Sequence, residues 1–163
     1  MTIRELKAGD RPHLDSILRE TGVFTNQEVG VALELIDIVL TKPGQEDYVI
    51  YTGLEDDAVV GYYCAGPTPM TDGTYDLYWI AVKPSSHQKG YGKNLLGHAE
   101  SLVRGRNGRL IVAETSSQPK YDNTRKFYLR NMYAEVARVK DYYKIGDDLV
   151  VYGKYVSQSG VQK

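Results

Sequence analysis

Apolar positions recur along the chain with two periods, near two and near 3.6 residues, and their order predicts the elements. Ile3 to Leu6 alternates and predicts a short opening strand. Pro12 sits where a helix start tolerates proline, and Leu14, Ile17 and Leu18 at helical spacing predict a helix over His13 to Glu20, ended by Thr21-Gly22. Asn26 is the predicted cap of a second helix with an apolar face of Val29, Leu33, Leu35, Ile36 and Leu40, stopped by Lys42-Pro43-Gly44.

Three strand-like runs follow, Asp47 to Gly53, Ala58 to Ala65 and Thr74 to Val82, joined by Glu55-Asp56-Asp57 and by the loop from Pro67 to Gly73. Connections this short predict an antiparallel meander. Leu95, Leu96, Ala99, Leu102 and Val103 then form the stripe of a helix over Gly92 to Arg104. Arg109 to Ala113 reads as a strand, Tyr121 to Asn131 as a compact helix, and Ala134 to Tyr143 with Leu149 to Val156 as a hairpin around Gly146-Asp147-Asp148. The predicted class is therefore α/β (α+β), with a single mixed, mainly antiparallel sheet flanked by helices in the order β α α β β β α β α β β. One domain is expected over residues 1–156, with a polar, frayed tail from 157 to 163.

Composition narrows the function without choosing it. With 20 Lys and Arg against 21 Asp and Glu, a broad attraction to nucleic acid is not expected. The start, MTIRELKAGD, has no apolar signal core, and no window approaches the roughly 18 uncharged apolar residues of a membrane span. The single cysteine, Cys64, excludes an internal disulfide, and His13, His87 and His98 show no metal-ligand spacing. A cytoplasmic chain without a metal or membrane partner is expected. The 14 tyrosines suit half-buried strands.

The stretch "IAVKPSSHQKGYGKNLL", Ile80 to Leu96, runs from strand through turn and glycines into a helix start. Such a junction brings free backbone amides and the positive end of the helix dipole to one point, which suits a phosphate. Gly90 and Gly92 permit unusual dihedrals, and Lys89 and Lys93 add charge. Two familiar phosphate loops fail here: Leu95 stands where GxGxxG needs its last glycine, and Asn94 follows Lys93 where GxxxxGK[ST] needs Ser or Thr.

The residues do resemble the acyl-CoA signature of the GNAT superfamily of N-acetyltransferases, [QR]xxGxG or [QR]xxGxA after a strand ending in V.P. His87 stands at the Gln or Arg position, followed by Gln88, Lys89, Gly90, Tyr91 and Gly92; "YDNTRKFYLRNMYAEVAR" resembles the later "helix, LY.k.GF" segment of the same family. The resemblance spans essentially the whole chain and implies an acyl-CoA N-acyltransferase fold with acetyl-CoA as donor. It implies that Ala81, Val82 and Lys83 offer main-chain groups to the pantetheine arm and that Gln88 to Lys93 hold the pyrophosphate. Asn123 and Thr115-Ser116-Ser117 are further candidates for hydrogen bonds to CoA, and Tyr128 aligns with the tyrosine that faces the thioester sulfur. His87 departs from the pattern, Met132 replaces the usual glycine and Tyr133 the usual phenylalanine.

The implied reaction is acetyl transfer from acetyl-CoA to a primary amine by direct attack in a ternary complex. An alkylamine near pKa 10 is mostly protonated at neutral pH, so a carboxylate, directly or through water, must take its proton. Glu114 and Asp76 are both candidates, and a water chain is a third. Tyr128 is the candidate acid for the departing thiolate, and a strand amide near Val82 the candidate oxyanion donor. The alternatives are an acyl-CoA sensor without transfer and an unrelated nucleotide-binding domain. The resemblance places the acceptor, a small-molecule or peptide amine, between the first two helices (Arg11 to Leu40) and the final hairpin with Asp141-Tyr142-Tyr143. A homodimer paired through an exposed Tyr-rich strand is expected.

Overall fold

A computed structural model of the chain describes residues 1–157, so the tail expected from 157 lies, past Ser157, outside the described residues. Its elements are β1 (Thr2–Glu5), α1 (Arg11–Glu20), α2 (Asn26–Thr41), β2 (Val49–Glu55), β3 (Ala58–Pro67), β4 (Thr74–Val82), α3 (Tyr91–Gly105), β5 (Leu110–Ser116), α4 (Asp122–Arg130), β6 (Ala134–Lys144) and β7 (Asp147–Tyr155). This is the order the hydrophobic pattern predicts. The strands form one mixed sheet in the order β1-β2-β3-β4-β5-β7-β6. β4 and β5 run parallel and pair from Thr74↔Leu110 to Asp76↔Val112, whereas β5 and β7 pair antiparallel along the whole of β5.

Several boundaries differ from the sequence reading by a residue or two, and at α2 and β5 the local reason is plain. α2 is capped by Thr25, not Asn26: the Glu28 amide donates to Thr25 Oγ1 at 3.2 Å, and the Thr25 amide donates to the Glu28 carboxylate at 2.7 Å. That reciprocal pair satisfies two helix-end donors at once, and a cap at Asn26 offers no such partner. β5 continues past Ala113 because Glu114, Thr115 and Ser116 find partners in Val151, Val150 and Leu149 of β7. The β2–β3 hairpin turns through Asp56 and Asp57, with φ of 48° and 64°, the left-handed pair that a two-residue turn between twisted strands requires.

The described chain divides into two compact units. The first comprises Met1–Gly66 and Tyr78–Ala99. Its core packs Leu14, Ile17 and Leu18 of α1 and Val29, Ala32 and Ile36 of α2 with Ile50, Tyr62, Cys64 and Ala81 of the strands. Arg4 and buried Asp10 form a two-pronged ion pair at 2.7 and 2.8 Å, supported by the Lys7 amide and the Thr52 hydroxyl. At Gly61 a Cβ would stand 2.6 Å from the Ala81 carbonyl oxygen, so only glycine lets β3 and β4 approach so closely beside Val82.

The second unit comprises Pro67–Leu77 and the chain from Glu100 onwards. It buries Val103, Ile111, Ala113, Tyr128, Tyr133, Val150 and Tyr152. β6 is an edge strand exposed along its length. Its pairing with β7 shifts between Val139 and Lys144, where Asp141 has φ 54° and its carboxylate accepts from the Gly146 amide at 2.6 Å. Bulges and charges of this kind blunt an edge against strand addition. No helix of the described residues is long and apolar enough to cross a membrane.

Candidate functional site

In the first unit, β4 ends at Val82 and the chain turns through Pro84–Ser86 before α3 begins at Tyr91. Two main-chain groups expected to face a ligand are already engaged: the Lys83 amide donates to Val60 O at 2.8 Å, and the Val82 carbonyl lies 2.9 Å from His87 Nε2. His87 therefore braces the end of β4. Ala81 is buried, and Val82 and Lys83 are half-buried.

Gln88 and Gly90 both take left-handed backbones, with φ of 66° and 80°. A Cβ on Gly90 would meet nothing within 4 Å, so the glycine is required by its dihedral and not by crowding. The first helical hydrogen bond of α3 runs from the Asn94 amide to Gly90 O at 3.1 Å. The amides of Tyr91, Gly92 and Lys93 thus lie outside the helical ladder, at the positive end of the helix dipole, and Lys93 is exposed. This arrangement fits a phosphate group.

One residue of this loop's setting was missed by the sequence reading. Glu55, at the end of β2, accepts a hydrogen bond from the Tyr91 hydroxyl and an ion pair from Lys89 at 3.1 Å. The Lys89 ammonium also stands 5.8 Å from the Tyr91 ring. The Tyr91 bond, then the Lys89 bond, holds the Glu55 carboxyl below the usual carboxylate range, and the same bond pushes Tyr91 up to about 12. Sequence placed Glu55 merely in a turn; its reach to residues more than thirty positions away is a product of the sheet.

In the second unit, the register brings the two candidate bases onto one face. Asp76 lies beside Val112, and Glu114 is two residues further along β5, so both side chains leave the sheet on the same side. Asp76 accepts from Thr68 Oγ1 at 2.7 Å. Glu114 is exposed, and among the described residues no side chain pairs with its carboxylate.

Tyr128 occupies the opposite face. Its ring stacks on Tyr152 with centroids 5.5 Å apart, and Tyr152 stands opposite Ala113, whose side chain alternates with that of Glu114. Tyr133 adds a second ring at 5.5 Å. Burial pushes the Tyr128 phenol above the ordinary tyrosine range, so it is fully protonated at neutral pH. The chain after α4 fixes both tyrosines: the Tyr133 amide donates to Tyr128 O and the Met132 amide to Leu129 O, each at 3.1 Å, with Met132 at φ 67°. This is the double hydrogen bond of a left-handed helix end, with methionine where glycine is usual.

The other candidates are placed differently. Asn123 is exposed in the first turn of α4. Ser116 is buried and donates to Asp147 Oδ1 at 2.5 Å, and the Ser117 hydroxyl accepts from the Asp148 amide at 2.8 Å. Both side chains are thus occupied in tying β5 to the hairpin. Asp147, expected only as a turn residue, is buried: burial works upwards on its carboxyl, but the Ser116 and Gln118 donors outweigh it and hold it below the usual range. Among the described residues no group of three or more His, Cys, Asp or Glu is placed to hold a metal ion.

Comparison with known proteins follows the same lines. The sequence profile described as Acetyltransferase (GNAT) family matches residues 14–132. A solved structure from Desulfovibrio desulfuricans, assigned to the acetyltransferases of the GNAT family, is 41% identical, with TM-score 0.92 over 96% of this chain and 99% of that one. At 17% identity the likeness is of fold alone: an aminoglycoside 6'-N-acetyltransferase complexed with coenzyme A has TM-score 0.76, covering 96% and 98% of the two chains. The ribosomal-protein-S18-alanine N-acetyltransferase from Escherichia coli, also 17% identical, has TM-score 0.78, covering 99% and 97%. A search of the curated proteins finds no match.

Proposed function

Because the chain belongs to the acetyltransferase (GNAT) family, we propose that it moves an acetyl group from acetyl-CoA to a primary amine by direct attack. The observation that carries this reading is the loop from Gln88 to Lys93, where Gln88 and Gly90 are left-handed and the amides of Tyr91, Gly92 and Lys93 precede the first helical hydrogen bond of α3. In this reading those amides hold the pyrophosphate, and His87 acts on β4 through the Val82 carbonyl. The pantetheine arm is assigned to the main chain at Ala81 and Val82, since the Lys83 amide is committed to Val60.

Two protons move at two different atoms. The amine loses one as its nitrogen bonds to the acetyl carbon; Glu114, unpaired and exposed, is the favoured recipient, and Asp76, already holding Thr68, the alternative. The departing thiolate gains one from Tyr128. A phenol raised above pKa 10 gives its proton reluctantly to a thiolate near 8.5, so the transfer must accompany cleavage of the carbon–sulfur bond. Cys64 supports direct transfer by its unsuitability for any other route: it is fully buried, with burial pushing its thiol up to about 12.

The test is thiol release from acetyl-CoA over a panel of primary amines, with calorimetry of acetyl-CoA binding alongside. Turnover that falls in Glu114→Gln and persists in Asp76→Asn supports the assignment. Binding without thiol release on any amine identifies a sensor instead.

A further inference from the structure

Lys154 follows Tyr152 on the same face of β7, because alternate residues of a strand point the same way. Its ammonium donates to both oxygens of the Glu100 carboxylate on α3, at 2.9 and 3.0 Å, and to Asn131 O, just past the end of α4, at 3.0 Å. It also stands 5.5 Å from the centroid of the Tyr133 ring, within reach of a cation–π contact. The three donors of a lysine are thereby spent. The carbonyls of Phe127, Tyr128 and Leu129 are taken by the amides that follow the helix, whereas Asn131 O, at the negative end of the helix dipole, takes a cation.

The Glu100–Lys154 pair is no plain source of stability. The two side chains are only 14% and 25% exposed, and charges so far withdrawn from water lose in hydration much of what their attraction returns, so an apolar pair of similar volume often serves a fold as well. What an apolar pair cannot do is aim a donor. Lys154 ties α3 and the end of α4 to β7, and it reaches both rings that flank Tyr128: Tyr152 is its neighbour on the strand, and Tyr133 lies beside its charge.

We propose that Lys154 is a positioning residue for the acid of the reaction: through Asn131 O and the Tyr133 ring it holds the last turn of α4, and with it Tyr128, in the orientation from which the departing sulfur is protonated, while Glu100 fixes the ammonium. Tyr128 lies one turn before Asn131, so a shift of the helix end moves the phenol with it. This role rests on the transferase reading above and on Tyr128 as its acid.

Steady-state thiol release, with a primary amine that turns over in the panel, compares the full-length parent with Lys154→Met, Tyr128→Phe and the variant carrying both changes. Lys154→Met keeps the stem and removes the donors; it is expected to lower kcat about tenfold or more with KM for acetyl-CoA within about twofold, since a displacement near 1 Å suffices for a loss of that order. In the Tyr128→Phe background the same change should lower kcat less than about twofold, because no hydroxyl is left to aim. Glu100→Gln/Lys154→Met removes both charges together; it should melt nearer the parent than Lys154→Met does, with kcat still low. Equal losses in both backgrounds, no loss in the parent, a loss carried by KM alone, or a kcat that recovers with the melting midpoint overturns the positioning role and leaves the transferase and Tyr128 intact. Tyr128→Phe at the parent rate overturns the acid assignment and this role with it. A parent that releases no thiol from any amine overturns the transferase reading itself.

Discussion

Replacing Met132 by glycine removes a Cβ from a left-handed residue at the end of α4, where φ is 67°. The Met132 side chain is 80% exposed, so almost no packing is lost. A left-handed backbone costs a residue with a Cβ about 1–2 kcal/mol, and the greater freedom of glycine in the unfolded chain offsets about 0.5–1 kcal/mol of that gain. The net expectation is a stabilisation of about 0.5–1 kcal/mol, or a melting midpoint about 1–4 °C higher for a chain of this size. Differential scanning calorimetry of Met132→Gly beside Met132→Ala measures it, since alanine keeps the Cβ and the strain. Equal midpoints for the two variants, or a lower midpoint for glycine, would refute the reasoning. Turnover should stay at the parent level, because the two hydrogen bonds that hold Tyr128 and Tyr133 come from backbone amides and survive the change.

Tyr128→Phe keeps the stack on Tyr152 and is expected to lower kcat by about 10²-fold or more while leaving acetyl-CoA affinity within about twofold, in calorimetry and steady-state kinetics. Glu55→Gln should tighten acetyl-CoA binding at low salt by releasing Lys89, with the gain shrinking as salt rises; weaker binding would mean that Glu55 chiefly organises the loop. Asp147 has a depressed carboxyl in the folded state, so its contribution is complete above the unfolded value near 3.9 and is lost as pH falls through the folded one. Denaturant titration should therefore show Asp147→Asn less stable than the parent at neutral pH, with the gap closing below about pH 4; a gap independent of pH would assign the loss to shape instead.

The pattern of apolar positions was enough to order the helices and strands, because most of them bury one face and so carry their period in the sequence; β6, exposed along its length, was legible from its place before the Gly146 turn. The Gln88–Lys93 loop was legible for a related reason: glycines at a strand-to-helix junction report a local backbone demand. Pairings that the tertiary fold creates were not legible. Glu55 meets Lys89 and Tyr91 only once β2 is in place, and Ser116 and Asp147 meet only because β7 returns beside β5. Ser116 and Ser117 looked like free hydroxyls for a ligand until those partners took them. The division of Tyr128 from Glu114 and Asp76 onto opposite faces depends on register, which one strand read alone does not reveal. Thr25 shows the opposite case, a cap that sequence offered through Thr-x-x-Glu and that the choice of Asn26 passed over.

Direct transfer in a ternary complex is tested most directly by a rapid-quench single turnover with acetyl-labelled CoA and a primary amine that releases thiol in the panel. The label should pass from thioester to amine as thiol appears in equal amount, with none on the protein at any time. Label on Cys64 before it reaches the amine, or label that stays on CoA while the protein is saturated with both, would contradict the account.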